Sequence, residues 1–110
     1  MKIVSKMARQ GDLLFIRVEK TPENLQQTQD QILAHGEITG HAHKVVTPGV
    51  QVFDFKGVVN QQTLRSKFLK SETPIHIQHE EHGPIVLDSG NWEVLRQREY
   101  TPEGIKKVQD

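Results

Sequence analysis

The chain has 110 residues, no cysteine, and 14 Lys plus Arg set against 14 Asp plus Glu. That length suits one domain with one core, because folding at this size hides roughly two-thirds of the surface of the unfolded chain. Balanced charge excludes a net field toward nucleic acid or anionic lipid. The lack of cysteine excludes disulfides, thiolate nucleophiles and sulfur-built zinc sites, and leaves His, Asp and Glu as the strong metal ligands.

Taken in order, the predicted elements are mostly strands. Residues 1–9 read as a polar N-terminal arm. Their apolar run is too short for a signal peptide, and no later run approaches the roughly 18 residues of a membrane span. The expectation is a soluble cytoplasmic protein. Gln10-Gly11-Asp12 reads as a turn and Leu13 to Glu19 as a largely buried strand, broken by Thr21-Pro22-Glu23-Asn24. Leu25 to Asp30 fits a short helix or a loop. A strand resumes over Gln31 to Val46, with Gly36 and Gly40 as bends or bulges inside it. Thr47-Pro48-Gly49 then turns the chain into the alternating Val50 to Phe55, which predicts a hairpin.

Beyond a second turn at Gly57 to Gln62, the segment Thr63 to Lys70 suits either a helix or a strand. Ile75-His76-Ile77-Gln78-His79 alternates again, and Gly83-Pro84 and Asp88-Ser89-Gly90-Asn91 punctuate strands at Ile85 to Leu87 and Trp92 to Tyr100. Short strands with turn signals between them predict an all-β, single-domain barrel over residues 10–100, of jelly-roll or similar type, followed by a polar tail at 101–110.

All six histidines fall in two windows, His35 to His43 and His76 to His82. Period-two alternation places His35, Glu37, Thr39, His41 and His43 on one strand face. The bases of His41 and His43 then stand about 6.5 to 7 Å apart, a spacing from which two rings converge on one ion. In the second window Ile75, Ile77, His79 and Glu81 share a face, and a bend at Glu80-Glu81 redirects His82 to the same place. The expected metal ligands are His41, His43 and His79, with Glu37, Glu81 and His82 as the catalytic groups. Imidazoles plus a carboxylate suit zinc, iron, manganese or nickel. Solvated histidines and a solvated Glu80-Glu81 pair are the bland counterpart. Trp92 is expected in the core or a pocket wall, and Arg96 and Arg98 on a face that meets an anionic ligand.

The segments Gly36-Glu37-Ile38-Thr39-Gly40-His41-Ala42-His43, His79-Glu80-Glu81-His82-Gly83-Pro84-Ile85 and Gln97-Arg98-Glu99-Tyr100 resemble a small uncharacterised family of bacterial and phage proteins. That resemblance implies an intracellular, phage-associated protein and supplies no activity. His41-x-His43 after a glycine-rich strand, with a later His and the Leu87-x-x-Gly90-x-Trp92 turn, also partly resembles the cupin superfamily. A cupin carries a glutamate a few residues after its His-x-His. Here Val45, Val46, Thr47 and Pro48 stand there, so Glu37 or Glu81 would replace it.

Three functions compete on this reading. The first is a metal-dependent enzyme, hydrolytic or cupin-like, acting on a small molecule. The second is a metal-free ribonuclease or phosphoesterase in which two histidines act as general base and acid and Lys44, Arg96 or Arg98 steadies the phosphate; RNA is its partner. The third is a non-catalytic module, either a phage or bacterial structural component or a metal-stabilised homo-oligomer whose histidines lie at a subunit contact.

Overall fold

Alternation of apolar and polar residues decides which side of each strand turns inward. The computed structural model of the chain describes residues 2–35, 40–59, 62–96, 98–101 and 104–107, with side chains in 2–35, 40–56 and 66–96. Its strands are β1 (Ile3–Val4), β2 (Met7–Gln10), β3 (Leu13–Val18), β4 (Gln26–Thr28), β5 (Ile32–His35), β6 (Ala42–Val45) and β7 (Gln51–Val59). They continue as β8 (Gln62–Ser71), β9 (Ile75–Gln78), β10 (Ile85–Leu87), β11 (Gly90–Arg96), β12 (Arg98–Thr101) and β13 (Gly104–Lys107). The protein is all-β. Among the described residues no helix is long and apolar enough to cross a membrane.

Two sheets form a sandwich, one in the order β1-β10-β9-β6-β5 and the other β2-β3-β11-β8-β7-β4, while β12 and β13 make a separate hairpin. Their inner faces bury Phe15, Leu69, Ile75, Ile77, Leu87 and Trp92 completely. Each such side chain contributes on the order of 1.5–3 kcal/mol by leaving water. The Trp92 indole N–H donates to Asp88 O at 2.8 Å, so its polar edge is satisfied inside the core. Trp92 is therefore core, one of the two places the sequence allowed for it.

Several expectations change. The barrel is not closed among the described residues: both sheets keep free edges, as a sandwich does. The expected arm supplies β1 and β2, because Ile3 and Val4 add beside Val86 and Leu87, and Met7 to Gln10 pair with β3. Strands this short carry no readable pattern of their own; their partners recruit them. The single strand expected over Gln31 to Val46 is the antiparallel pair β5 and β6. The stretch at Leu25 to Asp30 holds β4, and Thr63 to Lys70 is extended, within β8. Thr101 closes β12, and β13 lies within the expected tail.

The hairpin expected across Thr47-Pro48-Gly49 is a crossing between sheets instead. The Val46 N–H donates to His76 O at 3.1 Å, and Thr47 Oγ1 accepts the His76 N–H at 2.8 Å. Both bonds tie the turn to β9, so the chain leaves for the other sheet rather than folding back on β6.

Candidate functional site

The inner face of the sandwich changes character along its length. In the β6–β9 ladder Val45 stands opposite Ile77 and Lys44 opposite Gln78. The next inward step therefore brings His43 toward His79, and their ring centroids are 4.3 Å apart. His43 is fully buried. On the facing sheet the inward row of β11 runs Trp92, Val94, Arg96, with Arg96 registered against Leu13 of β3. Leu13 follows the two-residue turn Gly11-Asp12 that joins β2 to β3. Gly11 adopts φ 58° there, the left-handed conformation that tight hairpins require. That turn tucks both Gln10 and Asp12 inside, each 2% exposed.

These residues form one chain of contacts. The Gln10 amide nitrogen donates to Ile77 O at 3.1 Å and Gly83 O at 3.0 Å, which fixes the amide orientation. Gln10 Oε1 then faces His43 Nδ1 at 2.9 Å and accepts its proton. With Nδ1 protonated, the neutral ring has its lone pair on Nε2, and Nε2 stands 3.4 Å from Asp12 Oδ1. Asp12 Oδ2 is ion-paired with Arg96 Nε at 2.7 Å, and Arg96 Nη2 donates to His35 O at 2.6 Å.

His82 arrives by a bend. The backbone N–H groups of Glu81 and His82 both donate to His79 Nδ1, at 3.1 and 3.3 Å, so the His79 ring itself shapes the loop. His79 and His82 have centroids 4.7 Å apart, and His43 and His82 lie nearly parallel with centroids 6.3 Å apart. The Nε2 atoms of His43, His79 and His82 and Asp12 Oδ1 are all withdrawn from solvent. His41 sits at the rim, half-buried, edge-on to His79 at 5.8 Å, with its Nδ1 3.5 Å from Glu81 Oε1. Beside it Glu80 Oε2 accepts the Ala42 N–H at 2.8 Å, which lowers the Glu80 pKa from its ordinary value.

Five of the expected residues thus meet: His43, His79 and His82 inside, and His41 with Glu81 at the mouth. Glu37 lies outside the described residues. His35 does not share the face of His43, because the β5–β6 pairing places His35 opposite Ala42 and leaves it exposed. His76 points outward from β9, opposite in phase to Ile75 and Ile77. Arg96 faces inward to Asp12; the Arg98 side chain is outside the described set. Gln10 and Asp12 escaped sequence reasoning, since a polar triplet with a glycine reads as an exposed turn and nothing in it signals burial. Among the described residues no group of three or more His, Asp or Glu meets the compact arrangement of a metal-holding group.

What the arrangement offers chemically is a buried acceptor pair, His43 Nε2 and Asp12 Oδ1, which repel unless a positive charge lies between them. A proton between them would supply that charge. In comparisons with known proteins, no curated protein and no solved structure gives a significant match. A family profile described as a domain of unknown function, DUF8820, matches residues 9–97, which contain every residue of the histidine cluster. The chain is a member of the DUF8820 family.

Proposed function

We propose that this protein is a metal-dependent enzyme whose site is the buried cluster of His43, His79, His82 and Asp12, with His41 and Glu81 at its mouth. The observation that carries the reading is the 3.4 Å approach of His43 Nε2 to Asp12 Oδ1 while His43 Nδ1 is committed to Gln10. Two ligands of one tetrahedral ion, each about 2.0–2.1 Å from it, stand about 3.4 Å apart. Two rings bound through Nε2 have centroids about 5 Å apart by the same geometry, and those of His43 and His82 are 6.3 Å apart, with the His79 ring between them as a donor. The Gln10 amide oxygen, accepting from His43 Nδ1, fixes the tautomer and aim of that imidazole as a ligand requires.

A divalent zinc, iron, manganese or nickel ion at this place would supply Lewis acidity and an acidified water. The chain's own residues do the rest. Gln10 holds His43 in one tautomer. His79, whose Nδ1 accepts backbone N–H groups, has its neutral-form proton on Nε2 and presents a donor toward the cluster. Glu81 and His41 form the solvent-facing acid–base pair through which a proton enters or leaves. The partial likeness of His41-x-His43 to cupins supports the same chemistry, with the inner histidine as ligand and the outer one at the mouth. The substrate is a small molecule and the setting the cytoplasm.

A specific observation favours a second reading. The same His79 donor geometry suits a metal-free cluster in which the charge between His43 and Asp12 is a proton and the histidines act as acid and base on a phosphodiester such as RNA. Elemental mass spectrometry on untagged protein separates the two. Near-stoichiometric transition metal in the wild type, lost in Asp12→Asn and His43→Ala, is expected. Metal absent from the wild type, with reconstitution also failing, would overturn the metal reading and leave the proton one.

A further inference from the structure

Arg96 belongs to two places at once. Its Nε and Nη2 atoms reach Asp12 and the His35 carbonyl, yet its side chain also ends a groove of about 590 Å³. That volume falls within the range of about 300–1,000 Å³ typical of small-molecule sites. The groove opens between β5 and the paired strands β7 and β8, and its inner wall is apolar, made by Leu33, Phe55 and Val94. Its charges are unbalanced: Lys56, Lys67 and Arg96 against Asp54 alone. Asp54 is ion-paired with Lys67 and Arg96 with Asp12, which leaves the Lys56 ammonium as the surplus positive charge of the lining, with the Arg96 guanidinium as a further donor beside an apolar wall.

We infer that this groove binds the substrate of the histidine site, a small molecule with one carboxylate or phosphate head and an apolar body. The inference rests on the reading of the cluster as reactive, and it names the substrate class. The head group meets Arg96 and Lys56. A planar guanidinium already oriented through Nε and Nη2 presents its remaining N–H groups with little loss of freedom, and such groups bind carboxylate and phosphate oxygens. The body covers Leu33, Phe55 and Val94, and this burial supplies the non-directional part of affinity. Arg96 lines the groove and is ion-paired with Asp12, so it links the bound head group to the cluster.

The test is a titration of chelator-treated wild-type protein followed by amide nitrogen–proton NMR, with phenyl phosphate, phenylacetate and the uncharged benzyl alcohol as probes. Both anions are expected to shift the amides of Leu33, Ala34, Phe55 and Val94 saturably, with benzyl alcohol at least about tenfold weaker. The ratio between the two anions identifies the preferred head. Lys56→Glu, an exposed change that leaves the core untouched, is expected to weaken both anions several-fold, and Arg96→Met more strongly. Equal binding of benzyl alcohol, shifts confined to other surfaces, or unchanged anion affinity in Lys56→Glu would overturn the proposal. A protein that loads metal but shows no groove shifts removes this inference alone. One that binds the anions in the groove but never loads metal keeps it and removes the metal reading.

Discussion

The two ends of the sandwich interior obey different rules. Around Trp92 the inward rows from both sheets are apolar, and the Trp92, Phe15, Leu69, Ile75 and Ile77 side chains are fully buried. Around His43 the same rows continue with Gln10, Asp12, His79 and Arg96, joined by directed contacts. Burial of apolar surface needs only volume and shape. A buried polar network needs every partner in place, and a network of this kind often contributes less stability than a well-packed apolar replacement of equal volume. The polar end therefore has to be specified residue by residue, which the apolar end does not.

The largest expected effect lies at the apolar end. Trp92→Ala should cost about 3–5 kcal/mol, the usual loss for an aromatic truncation in a packed core. Urea unfolding measures it. His43→Leu, which fills similar space without the hydrogen bonds, should cost distinctly less in chelator-treated protein. Equal losses would erase the contrast between the two ends.

The next effect tests whether the polar end acts as a unit. Asp12→Ala removes the acceptor of a part-buried Arg96 and the neighbour of a fully buried His43, a loss of about 3 kcal/mol for breaking a buried pair. Combined with His43→Ala, the double variant should fall short of the summed single losses by about 1–3 kcal/mol. Four unfolding curves give that coupling. Additivity within about 0.5 kcal/mol would mean that the 3.4 Å approach carries no interaction of consequence.

The apolar end was the legible one. Ile75 and Ile77 alternate with His76 and Gln78, and the structure buries the first pair and exposes the second. His79 follows in phase and His82 through the bend, so the second window of the site could be read almost entirely. The first window was half legible. His43 and His41 follow from alternation, but His35 was placed on their face as if no turn intervened, and a change of strand breaks the period. Asp12 and Gln10 come to the site through a two-residue turn that folds under the opposite sheet. That burial is a long-range packing outcome, with Gln10 reaching Ile77 and Gly83 across the chain, and no local pattern encodes it.

Gln10→Leu sharpens the comparison at smaller scale. The change keeps a buried, similarly sized side chain but removes the donor to Ile77 O and Gly83 O and the acceptor for His43 Nδ1. Leaving buried partners without their hydrogen bonds costs about 1–3 kcal/mol. The loss should be local as well as global. Amide hydrogen exchange should quicken through residues 79–83, which Gln10 ties to β2 through Gly83 O, while the β3–β11 ladder around Trp92 keeps its protection until global unfolding. Uniform acceleration would place Gln10 in the general core.

The smallest effect belongs to the rim, where solvent weakens every charge. Glu80 accepts the Ala42 N–H, and that bond, ahead of its own backbone N–H, holds its pKa below the ordinary 4.5. A carboxyl whose folded pKa is lowered stabilises the fold while it is ionised in both states, that is above the ordinary value. It gives up that contribution as pH falls through the lowered one. Glu80→Gln keeps an oxygen for Ala42 but no charge, so the wild type should be slightly the more stable near pH 7, with its advantage shrinking to nothing in acid. Thermal unfolding of both proteins across that range reads the difference. An advantage that persists unchanged below the lowered pKa would show that Glu80 serves the loop by shape rather than by charge. The rim would then resemble the packed end of the sandwich more than the polar one it borders.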